Sequence, residues 1–417
     1  MRAEIITIGS ELLSFYFTET NSMYLTRKLE ENGIIVGFKT TVGDNEDDII
    51  NSIKIATSRV PILITTGGLG PTEDDITKSA FSKALAKKLI FSEEILHKIK
   101  ERFKKKGIEM PEINVRQAFF LEGAEILDNE VGIAPGMWIE DESNKIAILP
   151  GPPSELIPMM EKYVIPKLRK LAPYHISRKT LKIAGLSESE TDSMISDIYR
   201  NIKNPRVTLL AYPGQIEIHI LGRSKKSQSE AEETVEGLAL KFKERLGDNV
   251  FSTSEKSLEE HLGELLRERN ETLAIAESCT GGLLSSRITD VPGSSDYFER
   301  GIICYSNQSK VEMIDVEKKL LEIHGAVSRE VSIAMAESIR KKSKTTYGIG
   351  ITGIAGPAGS TKEKPVGLVH VALSFEGGYK HSKNQFFGTR SQIKFQATQK
   401  ALDMLRRHII EKSNYKT

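Results

Sequence analysis

The stretch "TLAIAESCTGGLLSSRIT" (residues 272–289) decides the fold of the C-terminal third of the chain. It begins with a short apolar run, typical of a buried strand, and it ends with apolar residues at helical spacing. Between the two patterns, Ser278, Cys279 and Thr280 lie side by side and two glycines follow. The stretch therefore predicts a strand that turns directly into a helix, with hydroxyl and thiol groups at the turn.

Two roles for these hydroxyl groups follow from that position. A nucleophile at such a turn has the N–H of the next residue free to stabilise an oxyanion. Alternatively, Ser278 or Thr280 is the N-cap of the helix, and the residues alone favour this reading because caps are far commoner than nucleophiles. A nucleophilic Cys279 needs an activating histidine, and the sequence places none beside it.

A base for Ser278 is offered by "CYSNQSKVEMI" (residues 304–314), which follows another predicted strand. Ser309 and Glu312 have the spacing of a capping box, which predicts Lys310 at the first helical position. The positive end of a helix disfavours an ammonium group and favours the neutral amine that a general base requires. A solvated surface lysine is the alternative, and the sequence leaves both open.

A second glycine-rich turn, "ITTGGLGPTEDDITK" (residues 64–78), follows an apolar strand near the N-terminus. Gly67, Gly68 and Gly70 let the backbone approach a ligand closely, and the following helix start is a ready anion site. The turn is neither a P-loop nor a GxGxxG motif. It predicts a phosphate or diphosphate site of another kind.

Acidic residues accompany this turn. Asp74 and Asp75 have a structural explanation, because acids in a first helical turn complement the helix dipole. Asp44 after a candidate strand and Glu155 after "PGPP" favour a functional role, since carboxylates at strand ends suit hard cations such as Mg²⁺. Asp44, Asp75 and Glu155 predict a metal site that faces a diphosphate.

The pattern of elements predicts an α/β protein. Alternating strand and helix signals over 1–171 indicate a doubly wound, mostly parallel sheet. A small α+β connector is predicted over 172–253, and a further α/β domain over 254–417. Helix N-caps are predicted at Thr20, Ser187 and Thr389.

Composition restricts the classes of function. The chain has 58 Lys and Arg against 57 Asp and Glu, a net charge of +1, which gives no strong sign of nucleic-acid binding. Two cysteines make no disulfide framework and suit a reducing compartment, so a cytoplasmic location is expected. Neither a signal peptide nor an apolar run of about 18 residues is evident, so no membrane association is expected.

The N-terminal domain resembles a molybdopterin-binding domain of the MoCF type, and more closely the N-terminal domain of the CinA family of competence/damage-inducible proteins. The resemblance rests on the motifs GSELL (9–13), TNS (20–22), TTGGLGPTEDDIT (65–77), NVRQA (114–118), GIAPG (132–136) and LPGPP (149–153). Glu19 and SFYF (14–17) depart from the usual pattern of the family.

This resemblance implies a metal-dependent ADP-ribose pyrophosphatase. It implies Mg²⁺, Mn²⁺ or Co²⁺ as the cofactor, held by acids at the positions of Asp44 and Asp75, to which the residue pattern adds Glu155. The residues that it implies for substrate binding are Asn21, Gly67, Gly68, Gly70 and Asn114.

The C-terminal domain resembles the CinA C-terminal domain, found as nicotinamide mononucleotide (NMN) deamidase. The matching motifs are AESCTGG (276–282), YSNQSK (305–310), HGAVS (324–328), GITGIAGPAG (350–359), KPVG (364–367) and FFGTR (386–390). The resemblance implies Ser278 as the nucleophile, Tyr305 and Lys310 as its activating partners, and no metal. The residues that it implies for substrate binding are Cys279, Thr280, Gly281, Gly353, Gly356 and Arg390.

Together the two resemblances imply a homodimeric hydrolase of pyridine-nucleotide salvage, with NMN and ADP-ribose as substrates. Two other classes stay open. One is a molybdopterin-binding module without hydrolase activity, and the other is a competence or DNA-damage partner protein.

Overall fold

The computed structural model describes residues 1–105, 107–141, 143–171 and 174–414. Its contacts divide the chain into two compact units, Met1–Ile176 with Arg223–Ala231, and Ser177–Gly222 with Glu232–Thr417. The predicted boundary lies between 171 and 172, and residue 172 is outside the described residues. In this division, most of the predicted connector groups with the C-terminal domain.

The N-terminal unit contains a mixed sheet and a short antiparallel strand pair. Its strands are β1 (Arg2–Ile8), β2 (Ile35–Val42), β3 (Ile62–Thr66), β4 (Leu89–Phe91), β5 (Phe119–Leu121), β6 (Glu125–Leu127), β7 (Gly136–Glu140) and β8 (Lys145–Leu149). The main sheet has the order β2-β1-β3-β8-β7-β6. The first four strands of that order are parallel, and β7 and β6 run antiparallel to their neighbours. The predicted mostly parallel sheet is confirmed.

Helices cover both faces of this sheet. They are α1 (Asn21–Glu31), α2 (Glu46–Arg59), α3 (Thr77–Leu85), α4 (Glu93–Lys105), α5 (Pro153–Met159) and α6 (Ile165–Leu171), with a π-helical turn at Met160–Val164 and 3-10 turns at Ser10–Leu13 and Glu112–Ala118. Neighbouring residues of β1 enter opposite cores, because successive strand side chains point to opposite faces. Ile5 packs in the core that contains Leu25 of α1, and Ile6 packs in the core that contains Ile53 of α2.

The start of α1 differs in detail from the prediction. The helix begins after Thr20, as expected, but the Thr20 side chain makes no capping hydrogen bond. Instead the Glu19 carboxylate accepts from the Ser22 N–H at 2.8 Å. A carboxylate suits this position because it faces the positive end of the helix.

The connector is an α+β element, as predicted. It consists of β9 (His175–Ile183), α7 (Glu188–Tyr199), β10 (Arg206–Tyr212), β11 (Gln215–Ser224), α8 (Gln228–Leu246), a 3-10 turn at Gly247–Asn249, and β12 (Val250–Ser252). Its sheet has the order β10-β11-β9-β12. The predicted capping box between Ser187 and Glu190 opens α7.

The C-terminal domain is built on a second mixed sheet. Its elements are α9 (Leu258–Glu268), β13 (Leu273–Glu277), α10 (Leu283–Thr289), a 3-10 turn at Ser294–Asp296, β14 (Phe298–Ile303), α11 (Asn307–Ile314), α12 (Lys318–His324), α13 (Arg329–Ser343), β15 (Tyr347–Gly353), β16 (Leu368–Phe375), β17 (Gly378–Gln385) and α14 (Arg390–Asn414). The sheet order is β14-β13-β15-β16-β17. The strand that precedes Ser278, β13, lies parallel to both of its neighbours.

The long helix α14 joins the connector to the C-terminal domain. The Gln392 N–H donates to the Thr389 hydroxyl at 3.4 Å, and the Thr389 N–H donates to the Gln392 side chain at 2.8 Å, which confirms the predicted cap. Further along, the buried Asp403 accepts from Arg406 at 2.6 Å and from Arg407 at 2.7 Å. The same two arginines donate to backbone carbonyls of the connector, which explains why the two parts form one unit.

Among the described helices, none combines the length and the apolar character that a membrane-spanning segment needs.

Candidate active sites

The strand-to-helix turn after β13 places Ser278 directly at the end of a buried strand. The Ser278 N–H donates to the Ile351 carbonyl at 3.0 Å, so the sheet fixes its backbone. Gly281 and Gly282 follow with φ of 61° and 92°. Other residues rarely adopt these left-handed conformations, which explains the two glycines at this turn.

The helix α10 is capped by Glu277. Its fully buried carboxylate accepts from the N–H groups of Gly282, Leu284 and Ser285 at 3.0, 3.1 and 2.8 Å. It also accepts from the Ser285 hydroxyl at 2.7 Å. The alternative in which Ser278 or Thr280 caps the helix is therefore wrong. Glu277 lies six residues before the first residue of α10, so the usual capping spacing gave no signal of this cap in the sequence.

Lys310 is in direct contact with Ser278. Its Nζ donates to Ser278 Oγ at 3.0 Å and to the carbonyls of Cys304 and Tyr305 at 2.8 and 3.2 Å. These contacts use all three N–H donors that a protonated lysine has. The Lys310 side chain is fully buried, and this desolvation lowers its pKa. The structure thus excludes the solvated surface lysine that the sequence left open.

The position of Lys310 in its helix differs from the prediction. Ser306 is the N-cap of α11, and it exchanges hydrogen bonds with Ser309 at 2.9 and 3.0 Å. The predicted capping box of Ser309 and Glu312 is wrong, and Lys310 is the fourth residue of the helix. Burial lowers the pKa of this lysine.

Tyr305 approaches this pair through its backbone. Its carbonyl accepts from Lys310, whereas its hydroxyl accepts from Arg390 at 3.0 Å. Arg390 also donates to the Gly356 carbonyl at 2.5 Å. The structure therefore brings three predicted residues together beside the Ser278–Lys310 pair. Among the described residues, no hydrogen bond joins the Tyr305 hydroxyl to Ser278 or Lys310.

The other predicted residues of this site have distinct environments. Burial raises the pKa of the Cys279 thiol to about 12, so this cysteine is not a thiolate at neutral pH. The Thr280 hydroxyl is buried and has no hydrogen-bond partner among the described residues. A Cβ at Gly353 would lie 2.7 Å from the Leu368 carbonyl, so close strand packing requires this glycine.

A separate cavity of about 770 Å³ lies in the N-terminal unit. The predicted residues that line it are Asn21, Asp44, Gly67, Gly68, Gly70, Asp75 and Glu155. Asn114 does not belong to this lining. Its side chain is buried and donates to Gln117 at 2.9 Å, and Gln117 lines the cavity. Asn114 therefore supports the wall of the cavity.

Two glycines of this cavity are required by close contacts. Gly67 has a φ of 110°, and a Cβ there would overlap the Ile8 carbonyl. A Cβ at Gly70 would overlap an Asp75 carboxylate oxygen. The loop thus passes close to β1 and to the acid that follows it.

Each predicted metal ligand already has a neighbour that donates to it. Asp75 accepts from the N–H and the hydroxyl of Thr72 at 2.8 and 2.6 Å. Asp44 accepts from the Ser10 N–H at 2.7 Å, and Glu155 accepts from the Asn129 side-chain amide at 2.6 Å. Nowhere in the described residues do three His, Cys, Asp or Glu side chains gather closely enough to hold a metal ion.

The charge of the cavity is strongly one-sided. Glu11, Glu19 and Asp74, absent from the predicted site, add to the three predicted carboxylates on its lining. Lys, Arg and His are absent from the described lining residues. Carboxylate oxygens are the ligands that hard divalent cations prefer, so this chemistry fits a metal even though no ligand set is preassembled.

Three family models match consecutive parts of the chain. They are a probable molybdopterin binding domain over residues 4–170, a damage-inducible protein CinA KH domain over 178–252, and a CinA C-terminal domain over 255–409. These matches cover both candidate sites.

Whole-length relatives are also found. A CinA-like protein of Dictyoglomus turgidum is 41% identical over 410 residues, covering 98% of this chain and 100% of the relative. A CinA-like protein of Koribacter versatilis is 43% identical over 415 residues, covering 98% and 100%. The crystal structure of a competence/damage inducible protein, CihA of Agrobacterium tumefaciens, is 33% identical with a TM-score of 0.35, covering 37% of this chain and 98% of that one. On the whole-length matches, the chain belongs to the CinA family.

Proposed function

We propose that this protein is a hydrolase with two sites. The C-terminal site converts NMN and water to nicotinate mononucleotide and ammonia, and the N-terminal site splits the diphosphate of ADP-ribose. The contact of 3.0 Å between Lys310 Nζ and Ser278 Oγ carries the first assignment. A buried lysine of lowered pKa beside a serine hydroxyl is the arrangement that general-base activation of a nucleophile requires.

In the neutral amine of Lys310, a lone pair replaces the N–H that faces Ser278 Oγ. This amine takes the proton of Ser278 Oγ as that oxygen attacks the carboxamide carbon of NMN. The carbonyl oxygen becomes an oxyanion. Backbone N–H groups that follow Ser278 would stabilise this charge. The Lys310 ammonium then returns its proton to the departing nitrogen, and ammonia leaves.

The second half of the reaction removes the acyl group from the serine. Water attacks the ester carbon, Lys310 accepts its proton, and Ser278 Oγ leaves with that proton. Nicotinate mononucleotide is released, and the enzyme returns to its initial state. No metal takes part in these proposed steps.

Ammonia release from NMN by wild type, Ser278→Ala and Ser286→Ala tests this assignment. Ser286 is an exposed serine of the adjoining helix α10 and serves as the matched control. We expect release by wild type and the control and none by Ser278→Ala. Absence of release from folded wild type would contradict the assignment.

For the N-terminal site, the acidic cavity and its glycine loop support the pyrophosphatase proposal. A bound Mg²⁺, Mn²⁺ or Co²⁺ would offset the charge of the diphosphate and activate a water molecule. Asp44, Asp75 and Glu155 are the residues that would hold it. The backbone of the loop around Gly67, Gly68 and Gly70 would hold the phosphates.

Release of AMP from ADP-ribose, with and without added metal, tests this second activity. A second candidate function is favoured by the family model over residues 4–170, whose description is a probable molybdopterin binding domain. In that case the protein would bind a pterin and release no AMP. We further propose that the protein is cytoplasmic and forms a homodimer. The mass of the purified protein in solution tests the homodimer.

A further inference from the structure

The loop after the Ser10–Leu13 turn carries three exposed aromatic side chains. Phe15, Tyr16 and Phe17 are 89%, 83% and 53% exposed. The Phe15 and Tyr16 rings pack on each other with centroids 3.8 Å apart. Phe17 differs from both, because its side chain lines the N-terminal cavity. Large aromatic groups exposed to water usually mark a binding surface.

The other residues that line the cavity determine which ligand groups can bind beside Phe17. Six carboxylates and no Lys, Arg or His line it among the described residues, so side-chain cations do not attract an anionic ligand. Phe17 is the only aromatic side chain among these described lining residues. A neutral, planar group gains from a phenyl ring without repulsion from the acids.

We propose that Phe17 is a base-binding subsite of the N-terminal cavity, which takes a nucleoside diphosphate whose base stacks on the phenyl ring. This inference rests on the proposed pyrophosphatase function and names the part of the substrate that the phosphate loop does not bind. The volume of about 770 Å³ falls in the range of small-molecule sites, with room for a base beside a diphosphate.

The position of Phe17 also separates it from its neighbours in sequence. Phe15 is almost fully exposed and does not line the cavity. Phe15 and Phe17 are therefore two phenylalanines of one loop, and only Phe17 lines the cavity. Stacking of a base on an aromatic side chain is sequence-tolerant because every base has a π-face, so the subsite accepts purines and pyrimidines.

The test compares Phe17→Ala with Phe15→Ala, using ADP-ribose and ribose 5-diphosphate, which has no base. We expect Phe17→Ala to raise KM for ADP-ribose about tenfold, with kcat little changed. KM for ribose 5-diphosphate stays the same, and Phe17→Trp restores the ADP-ribose value. Phe15→Ala behaves as wild type. Equal losses on both substrates, or no loss on either, would overturn the subsite.

A binding measurement separates this inference from the proposed function. In Phe17→Trp with added Mg²⁺, a stacked base quenches the new indole fluorescence, so ADP quenches and ribose 5-diphosphate does not. If wild type hydrolyses no diphosphate but ADP quenches, the subsite stands and the pyrophosphatase fails. If hydrolysis proceeds and Phe17→Ala changes only the mass of the assembly, the loop is a protein interface and the subsite is overturned.

Discussion

The two candidate sites differ in how far the folded chain assembles them. In the C-terminal site, Ser278 and Lys310 are buried and in contact at 3.0 Å. In the N-terminal site, Asp44, Asp75 and Glu155 share a cavity, but each carboxylate is held by its own neighbour.

The difference follows from the chemistry that each site needs. A serine and its base attract each other through a hydrogen bond, so folding alone brings them together. Carboxylates repel one another at short distance, so a ring of them is costly until a cation is present. The N-terminal site is thus expected to depend on an added metal, and the C-terminal site is not.

Lys310→Met should produce the largest difference between the two reactions. Loss of a general base costs about 10²- to 10⁴-fold in rate, so ammonia release from NMN should fall by this factor. Methionine fills the buried space without a charge, and AMP release from ADP-ribose should be unchanged. Both rates, with the thermal midpoint of unfolding, are the measurement. Equal losses at the two sites would show a general defect of the fold.

Asp75→Asn should produce the reverse pattern, with a smaller effect. The amide oxygen of the substituted side chain can still accept from Thr72, so the loop keeps its shape while one negative charge is lost. We expect AMP release to fall at least about tenfold and to require more metal for half-maximal rate. The NMN reaction serves as the internal control. An unchanged metal dependence would exclude Asp75 as a ligand.

The pH dependence should also differ between the sites. Lys310 acts as a base only when neutral, so the NMN rate should rise with pH and level off above its lowered pKa. Below that pKa, the rate should fall about tenfold per pH unit. A rate profile for each reaction, measured on one preparation, checks this. A flat NMN profile down to acid pH would contradict Lys310 as the base.

The same lowered pKa affects stability. Between the pKa of Lys310 in the folded protein and its ordinary value of 10.5, the unfolded chain binds the additional proton. The free energy of unfolding should therefore rise with pH in this window. As pH falls through the window, the stability gained from the neutral, buried amine is lost. Lys310→Met should remove that slope, which unfolding by denaturant at several pH values would reveal.

Glu277→Gln gives the smallest expected effect on catalysis. The amide retains an acceptor oxygen but loses the charge that faces the start of α10, and bonds to charged groups contribute about 1.5–3 kcal/mol each. We expect a loss of about 2 kcal/mol in the free energy of unfolding and less than a tenfold loss in NMN turnover. Glu312→Gln, on an exposed helix surface, is the matched control.

Much of the fold was predictable because the relevant signals are local. The apolar run of β13 and the helical spacing after Gly282 lie within one short stretch, and the structure confirms both. The cap of α14 at Thr389 and Gln392 was predicted from the sequence in the same way. The cap of α10 could not be predicted, because Glu277 is the last residue of a strand in sequence. Only the structure shows that its carboxylate accepts from the first N–H groups of the helix.

The sequence by itself determined the α/β class, the order of the elements and the membership of the family, since periodicity and motif order need only neighbouring residues. Tertiary structure alone decided that Lys310 is buried against Ser278, 32 residues away in sequence. It also decided that Tyr305 offers its carbonyl to Lys310 and its hydroxyl to Arg390. Burial and contact depend on which elements the sheet places side by side, and this sets the pKa of Lys310 and the partner of each acid in the N-terminal cavity.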